Sequence, residues 1–192
     1  MTAAAQGAPD PAGPGVAVRR VDVAAVLDLR HRVLRAGRPR QSARLDGDDD
    51  PATIVLAGWL PTSGAGVAGP VSTATVMVQP CPWYPGVPAR RLRAMATDPA
   101  ARGLGAGSAV LAEAVRRARA GGAELLWCHA HQAAVAFYAR AGFAVHGPEF
   151  DVAGIGPHSC MHLDLAPGTS PDPGTGPAPA ADAVAGGEDC RT

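Results

Sequence analysis

Hydrophobic and polar positions divide this chain into a succession of short elements. Residues 16–21 read as a brief strand. Asp22 stands where a helix N-cap is expected, ahead of Val23, Val26, Leu27, Val33 and Leu34 at helical spacing, with a stop near Gly37. A polar loop over 38–50 ends in an acidic run at Asp46 and Asp48 to Asp50. Two apolar, β-branched runs, 53–59 and 71–78, flank a Gly/Pro-rich connection and predict a hairpin. Residues 90–97 form another strand after a loop that carries Trp83 and Tyr84. The clearest element is an amphipathic helix over 105–120. Val110, Leu111, Ala114, Val115 and Ala118 line one side of it, and Gly121-Gly122 ends it. A short buried strand (124–128), a short helix (132–140) and two late strands (143–145 and 159–165) follow. The order β-α-β-β-β-α-β-α-β-β predicts an α+β, or mixed α/β, domain.

Composition sets the limits of that domain. The chain has 192 residues, of which 24 are Gly and 19 Pro, and it contains neither Lys nor Asn. Segments 1–15 and 166–192 are Ala/Gly/Pro tails with almost no large apolar side chains. They cannot bury enough surface to offset the entropy of ordering, so disorder is expected there and a single domain over 16–165. Net charge is zero over the whole chain. The tails hold five acids and one Arg, which leaves 16 Arg against 12 acidic residues in the domain. That mild excess suits a polyanionic ligand and argues against nucleic acid as partner. Four dispersed cysteines without a CxxC pair point to a reduced, cytoplasmic setting. The first 15 residues have Pro9, Pro11 and Pro14 and no apolar core, so no signal peptide is expected. The uncharged stretch 51–89 is broken by six prolines and holds only strand-length apolar runs, so no membrane span is expected. With Trp59, Trp83 and Tyr84 it could cover a homodimer face or only the core.

Two motifs carry chemistry. The first is Arg102-Gly103-Leu104-Gly105-Ala106-Gly107, between a strand and the long helix. Free N–H groups and the dipole at a helix start make an anion site, with diphosphate a natural ligand and Arg102 an added contact. In so Gly-rich a chain a chance GxGxG is expected ~0.4 times, so these glycines alone say little. The spacing does not fit the dinucleotide fingerprint, and without Lys there is no P-loop. The second motif, Phe137-Tyr138-Ala139-Arg140-Ala141-Gly142-Phe143, spends scarce letters. Composition gives it odds of roughly one in ten thousand. Together the two motifs resemble the GNAT (Gcn5-related N-acetyltransferase) superfamily. Its R/Q-x-x-G-x-G/A signature is matched by Arg102, Gly105 and Gly107, with FYxxxGF downstream. The run Gly154-Ile155-Gly156-Pro157-His158-Ser159-Cys160-Met161 is similar, with one extra residue, to the GIPHxxM ending of ElaA-like members.

The resemblance implies a GNAT-like fold: a central mixed, mostly antiparallel sheet flanked by helices, whose parallel central strands, here 91–97 and 124–128, splay apart around acetyl-CoA. Met95, Ala96 and Thr97 would pair with the pantetheine arm as a strand does. N–H groups of Gly103, Leu104, Gly105, Ala106, Gly107 and Ser108 would hold the pyrophosphate, and Phe137, Tyr138 and Arg140 would line the other side. It also implies direct attack by the primary amine of a small molecule or peptide. Tyr138 would be general acid, a strand N–H near Met95 or Ala96 would meet the oxyanion, and Glu149 or His158 would take the amine proton. Many relatives place Asn near the end of the strand before the Tyr helix; this chain has His129-Ala130-His131-Gln132.

Plainer readings stand beside these. Tyr138 is also compatible with a packed aromatic, and Glu149 and His158 with structural hydrogen bonds. His129 and His131 share a strand face, but no third ligand is evident, so no metal is expected. The acidic run reads as a solvated loop that could attract a cationic amine. Trp59, Trp83, Trp127 and Cys128 read as packing residues. A non-catalytic acyl-CoA-binding or regulatory domain of the same fold is the alternative to an N-acetyltransferase.

Overall fold

A computed structural model describes residues 15–61 and 69–166. The tails and the 62–68 connection, for which disorder and a hairpin loop were expected, lie outside the described residues.

Seven strands form one sheet: β1 (Ala17–Arg20), β2 (Ile54–Trp59), β3 (Ser72–Val78), β4 (Ala89–Thr97), β5 (Leu125–His131), β6 (Ala144–Val152) and β7 (Gly156–Asp164). Their order across the sheet is β1-β2-β3-β4-β5-β7-β6. Among the described residues three α-helices flank it: α1 (Leu27–Leu34), α2 (Ala106–Ala120) and α3 (Val135–Arg140). Every strand pair is antiparallel except β4 with β5. This is the expected α+β architecture, with the elements in the expected order.

Alternation assigns the two faces. Leu56, Ala74, Val76, Leu92, Leu126, Cys128 and Met161 point to one side and meet Val110, Leu111, Ala114 and Ala118 of α2 and Tyr138 of α3. Their neighbours Val55, Ala57 and Met77 point to the other side, where Val23, Val26, Leu34 and Leu45 cover them. Gly58 fixes how closely α2 seats on β2: a Cβ there would stand 2.7 Å from Val110 Cγ2.

Several local expectations need correction. Asp22 makes no side-chain capping bond; the chain enters α1 through a 3-10 turn at Val23–Ala25. The tighter turn stacks Val23 above Val26, and both reach the core beside Val55 and Ala57. The fully buried residues of α1 are Leu29 and Arg30; Leu27 and Leu34 pack half-buried against the core, and Val33 is half-buried. β6 is far longer than the expected 143–145, and β7 begins three residues before the expected 159–165, because the two form a long antiparallel pair. β6 is an edge strand with mostly exposed side chains, so hydrophobic alternation could not mark it. The acidic run is not wholly solvated. Asp48 is buried, its Oδ2 accepting from Arg30 Nη1 and from the Leu45 N–H, both at 2.7 Å.

Candidate active site

The parallel pair is brief. β4 and β5 are in register only at Ala89 with Leu125, Arg90 with Leu126 and Arg91 with Trp127. Beyond Arg91 the strands part, and the backbone of 92–97 faces a gap inside the sheet. A bulge follows at once. Thr75 pairs with Arg93 but Thr73 with Ala96, so β4 holds an extra residue there. Ala94 takes it up at φ 48°, and no other non-glycine described residue has positive φ. An L-residue in that region is strained, and such strain collects at functional positions.

Past the bulge, Ser72 of β3 fixes the end of β4. Its hydroxyl donates to the Ala96 carbonyl at 3.0 Å and lies 2.9 Å from Thr97 Oγ1. Asp98 then accepts from the Ala100 N–H at 3.0 Å and from Arg32 of α1 at 2.9 Å. The Arg32 guanidinium and then the Ala100 N–H hold its carboxyl below the usual range.

The glycine loop opens α2. Gly103 and Gly105 sit at φ 77° and 81°, with nothing within 4 Å of where a side chain would begin. Gly105 is the N-cap and offers no side-chain bond, so the first-turn N–H groups of α2 point outward. Arg102, Leu104 and Ser108 are exposed around them. A Cβ on Gly107 would lie 3.0 Å from Thr97 Oγ1 and 3.7 Å from both Met95 Cε and Phe137 Cε2. Residues from β4, α2 and α3 thus converge on one glycine. Of the sequence-nominated residues, Met95, Ala96 and Thr97 lie on the part of β4 that faces the gap, and Thr97, Met95 and Phe137 surround Gly107 of the 102–108 loop; Tyr138 is buried in the core cluster behind Phe137, and Arg140 is exposed at the end of α3.

Tyr138 is 6 % exposed, packed edge-on to Phe137 and tilted against Phe143. Burial, with Cys128 adding to it, pushes its phenol well above the ordinary value, so it keeps its proton at neutral pH. The gap thus combines an open strand edge with the helix N-terminus beyond it, which fits a chain-like ligand that ends in an anionic group.

The opposite wall is rich in histidine. Trp127, His129 and His131 of β5 face the α1 side, in register with His162, Cys160 and His158 of β7. Arg91 Nη2 lies 3.3 Å from His129 Nδ1; a guanidinium only donates, so that nitrogen accepts. His158 donates from Nδ1 to the Gly156 carbonyl at 2.8 Å, which leaves Nε2 as a bare lone pair, buried and without a hydrogen-bond partner. Burial lowers its pKa. Glu149 is exposed at the β6 bulge, on the edge of the sheet and apart from the gap. Among the described residues, no group of three His, Cys, Asp or Glu side chains could hold a metal ion, and no helix is long and apolar enough to cross a membrane.

Sequence reading missed Arg91 and Arg93, which are 8 % and 4 % exposed on the α1 face. Two arginines at alternate positions of a predicted strand share a face, and that was the available signal.

Known proteins give the same outline. The model of the Acetyltransferase (GNAT) domain family matches residues 87–165. The uncharacterized N-acetyltransferase YitI of Bacillus subtilis is 29% identical over 148 residues, which is 77% of this chain and 95% of that protein. An N-acetyltransferase structure from Lactobacillus plantarum superposes with TM-score 0.63 at 22% identity, over 79% of this chain and 99% of its own. An aminoglycoside 6'-N-acetyltransferase complexed with coenzyme A gives TM-score 0.61 at 13% identity, over 81% and 99%.

Proposed function

We propose that the chain is a GNAT acetyltransferase, a reading supported by the family model over 87–165 and by the N-acetyltransferase relatives, and that it moves an acetyl group from acetyl-CoA to a primary amine by direct attack. The observation that carries this reading is the gap between β4 and β5, with the bulge at Ala94 on its β4 side and the glycine loop at the start of α2 beyond it. Acetyl-CoA supplies an activated acyl thioester. Met95, Ala96 and Thr97 present free strand edge to its pantetheine arm, and the N–H groups of 103–108 hold its diphosphate. An N–H near Met95 or Ala96, turned by the bulge, stabilises charge that develops on the acyl oxygen.

Two protons leave an ammonium acceptor as its nitrogen bonds to the acyl carbon and the C–S bond breaks. One goes to solvent by way of a base. The other is balanced by the sulfur, which Tyr138 protonates as the thiolate departs. The high pKa of Tyr138 suits a donor. Of the two candidate bases we favour His158, because its buried Nε2 lone pair has no hydrogen-bond partner and burial keeps the ring neutral at pH 7.

The test is thiol release from acetyl-CoA against a panel of amines. Tyr138→Phe should lower kcat roughly 10²-fold or more while leaving acetyl-CoA affinity, read by calorimetry, within twofold. Wild-type binding of CoA without turnover of any amine would instead favour a non-catalytic binding domain.

A further inference from the structure

The reaction needs a base, and the favoured one is shut away. His158 is fully buried, at 0% exposure, yet its Nε2 lone pair has no hydrogen-bond partner. A lone pair enclosed in this way does not touch an acceptor amine directly, and a proton reaches it only through a small carrier. An orphaned acceptor is also costly, and a water molecule is the usual remedy where a second polar group stands close by.

That second group is His131. It ends β5, on the part of the strand that has left β4, and pairs directly with His158 in the β5-β7 register. The two ring centres are 5.2 Å apart and the planes nearly perpendicular, at 84°. Their tautomers are complementary. His131 Nδ1 accepts from the Ala133 N–H at 3.1 Å and caps the 3-10 turn Gln132–Ala134, so the neutral ring carries its proton on Nε2. His158 donates from Nδ1 to the Gly156 carbonyl at 2.8 Å, so its Nε2 only accepts. Both rings meet at residue 156, because His131 Nε2 lies 3.8 Å from where a Cβ on Gly156 would stand. One donor and one acceptor thus come together there. Two hydrogen bonds of about 2.8 Å that meet on one oxygen span about 4.5 Å. The other titratable groups about His158 are His129 of β5 and Asp151 of β6, while Ser159 donates to Gln132 Oε1 at 3.2 Å.

Resting on the transferase reading, we propose that His131 and His158 hold one water molecule between them, and that this water carries the amine proton to His158. His131 donates from Nε2 to the water oxygen and fixes it. The water donates one hydrogen to His158 Nε2 and accepts from the ammonium with its remaining lone pair. As an N–H bond of the ammonium breaks, an O–H bond forms on the water; one of the water's own O–H bonds breaks, and an N–H bond forms on His158. The positive charge passes from amine to imidazolium. It leaves for solvent by the same water, past half-buried His131, once product has gone. His131 acts through the water and is a positioning residue, not the base.

The test uses the full chain with acetyl-CoA and the best amine of the panel. His131→Phe keeps a ring without either nitrogen. It should lower kcat roughly ten- to a hundred-fold, with acetyl-CoA affinity unchanged by calorimetry. His131→Gln sets an amide N–H about where Nε2 stood. It should recover most of that loss and keep the acid limb of the pH–kcat profile, because His158 still titrates. His131→Asn keeps the bond to Ala133, but its amide is too short to reach the water, so it should stay as slow as the Phe variant. An unchanged kcat in His131→Phe overturns the inference. Asn faster than Gln makes His131 a structural cap and overturns it as well. So does Gln as slow as Phe, and a lost acid limb would then mark His131 as the base. Should the variants fail to fold, nitrogen-15 NMR of the wild-type histidines at pH 8 decides: His131 should be protonated on Nε2 and His158 on Nδ1, and the reverse at either ring overturns the inference. Each of these outcomes leaves the transferase reading intact. A wild-type protein that binds no acetyl-CoA, or turns over no amine, overturns both.

Discussion

Arg30 and Asp48 form a buried ion pair in which neither side chain is more than 1% exposed. Arg30 also donates to Thr75 Oγ1 at 2.5 Å and to the Ala43 carbonyl at 3.4 Å, so one guanidinium ties α1 to the 38–50 loop and to β3. Such a pair adds little net stability over a hydrophobic replacement, but removing one member strands the other in the core. Asp48→Ala should therefore cost about 3–5 kcal/mol, far more than Asp49→Ala a residue away, where the side chain is 78% exposed. Urea denaturation of the two variants checks this. The pair also holds in place the loop that carries Asp46 and Asp50. An acidic run gives no sign of which member turns inward, because burial of Asp48 depends on an arginine eighteen residues earlier and a threonine beyond it.

At the scale of elements, the fit of α2 on β2 depends on a missing methyl. With Val110 Cγ2 2.7 Å from where a Cβ would sit, Gly58→Ala overpacks the contact and should destabilise by about 1–3 kcal/mol. Val110→Ala in the same chain should recover part of that loss, as a double-mutant cycle in thermal or urea melts would show. The same scale explains what the sequence revealed. α2 announced itself through a full apolar stripe, and the glycine loop with the Phe137-Tyr138 motif through scarce letters at fixed spacing. Both are local signals. The extent of β6, the bulge at Ala94 and the approach of Arg91 to His129 depend on pairing between distant segments, which no local period records. Arg91 and Arg93 were visible only as charges in a strand, a pattern that reads first as a solvated edge. Their burial follows from β4 lying in mid-sheet.

For the molecule as a whole, the histidine-lined half of the sheet sets a limit on acid tolerance. Burial first, then the charges of Arg91, His158 and Arg93, lowers the pKa of His129 to about 3. Burial likewise lowers His146, His158 and His162. These groups are neutral in both folded and unfolded chains above the ordinary value of 6.5 and contribute nothing there. Below it the unfolded chain takes up protons that the folded one refuses, so stability falls as pH drops from 6.5 towards 3. The loss is at most about 1.4 kcal/mol per pH unit for each fully shifted histidine. Urea midpoints should fall between pH 7.5 and 5, and His129→Gln should flatten that slope.

The three-register contact between β4 and β5 has one more consequence. It makes the sheet two antiparallel ribbons, β1 to β4 and β5-β7-β6, stitched at one end and open at the other. Much of the hydrogen-bonding capacity that would weld them belongs to whatever lies between them. On the proposed reading a chain-like ligand in that opening would be one more strand, and the protein would reach its full sheet only while it holds its substrate. Melting temperature should then register occupancy, each molecule bound closing a seam that the polypeptide leaves unsewn.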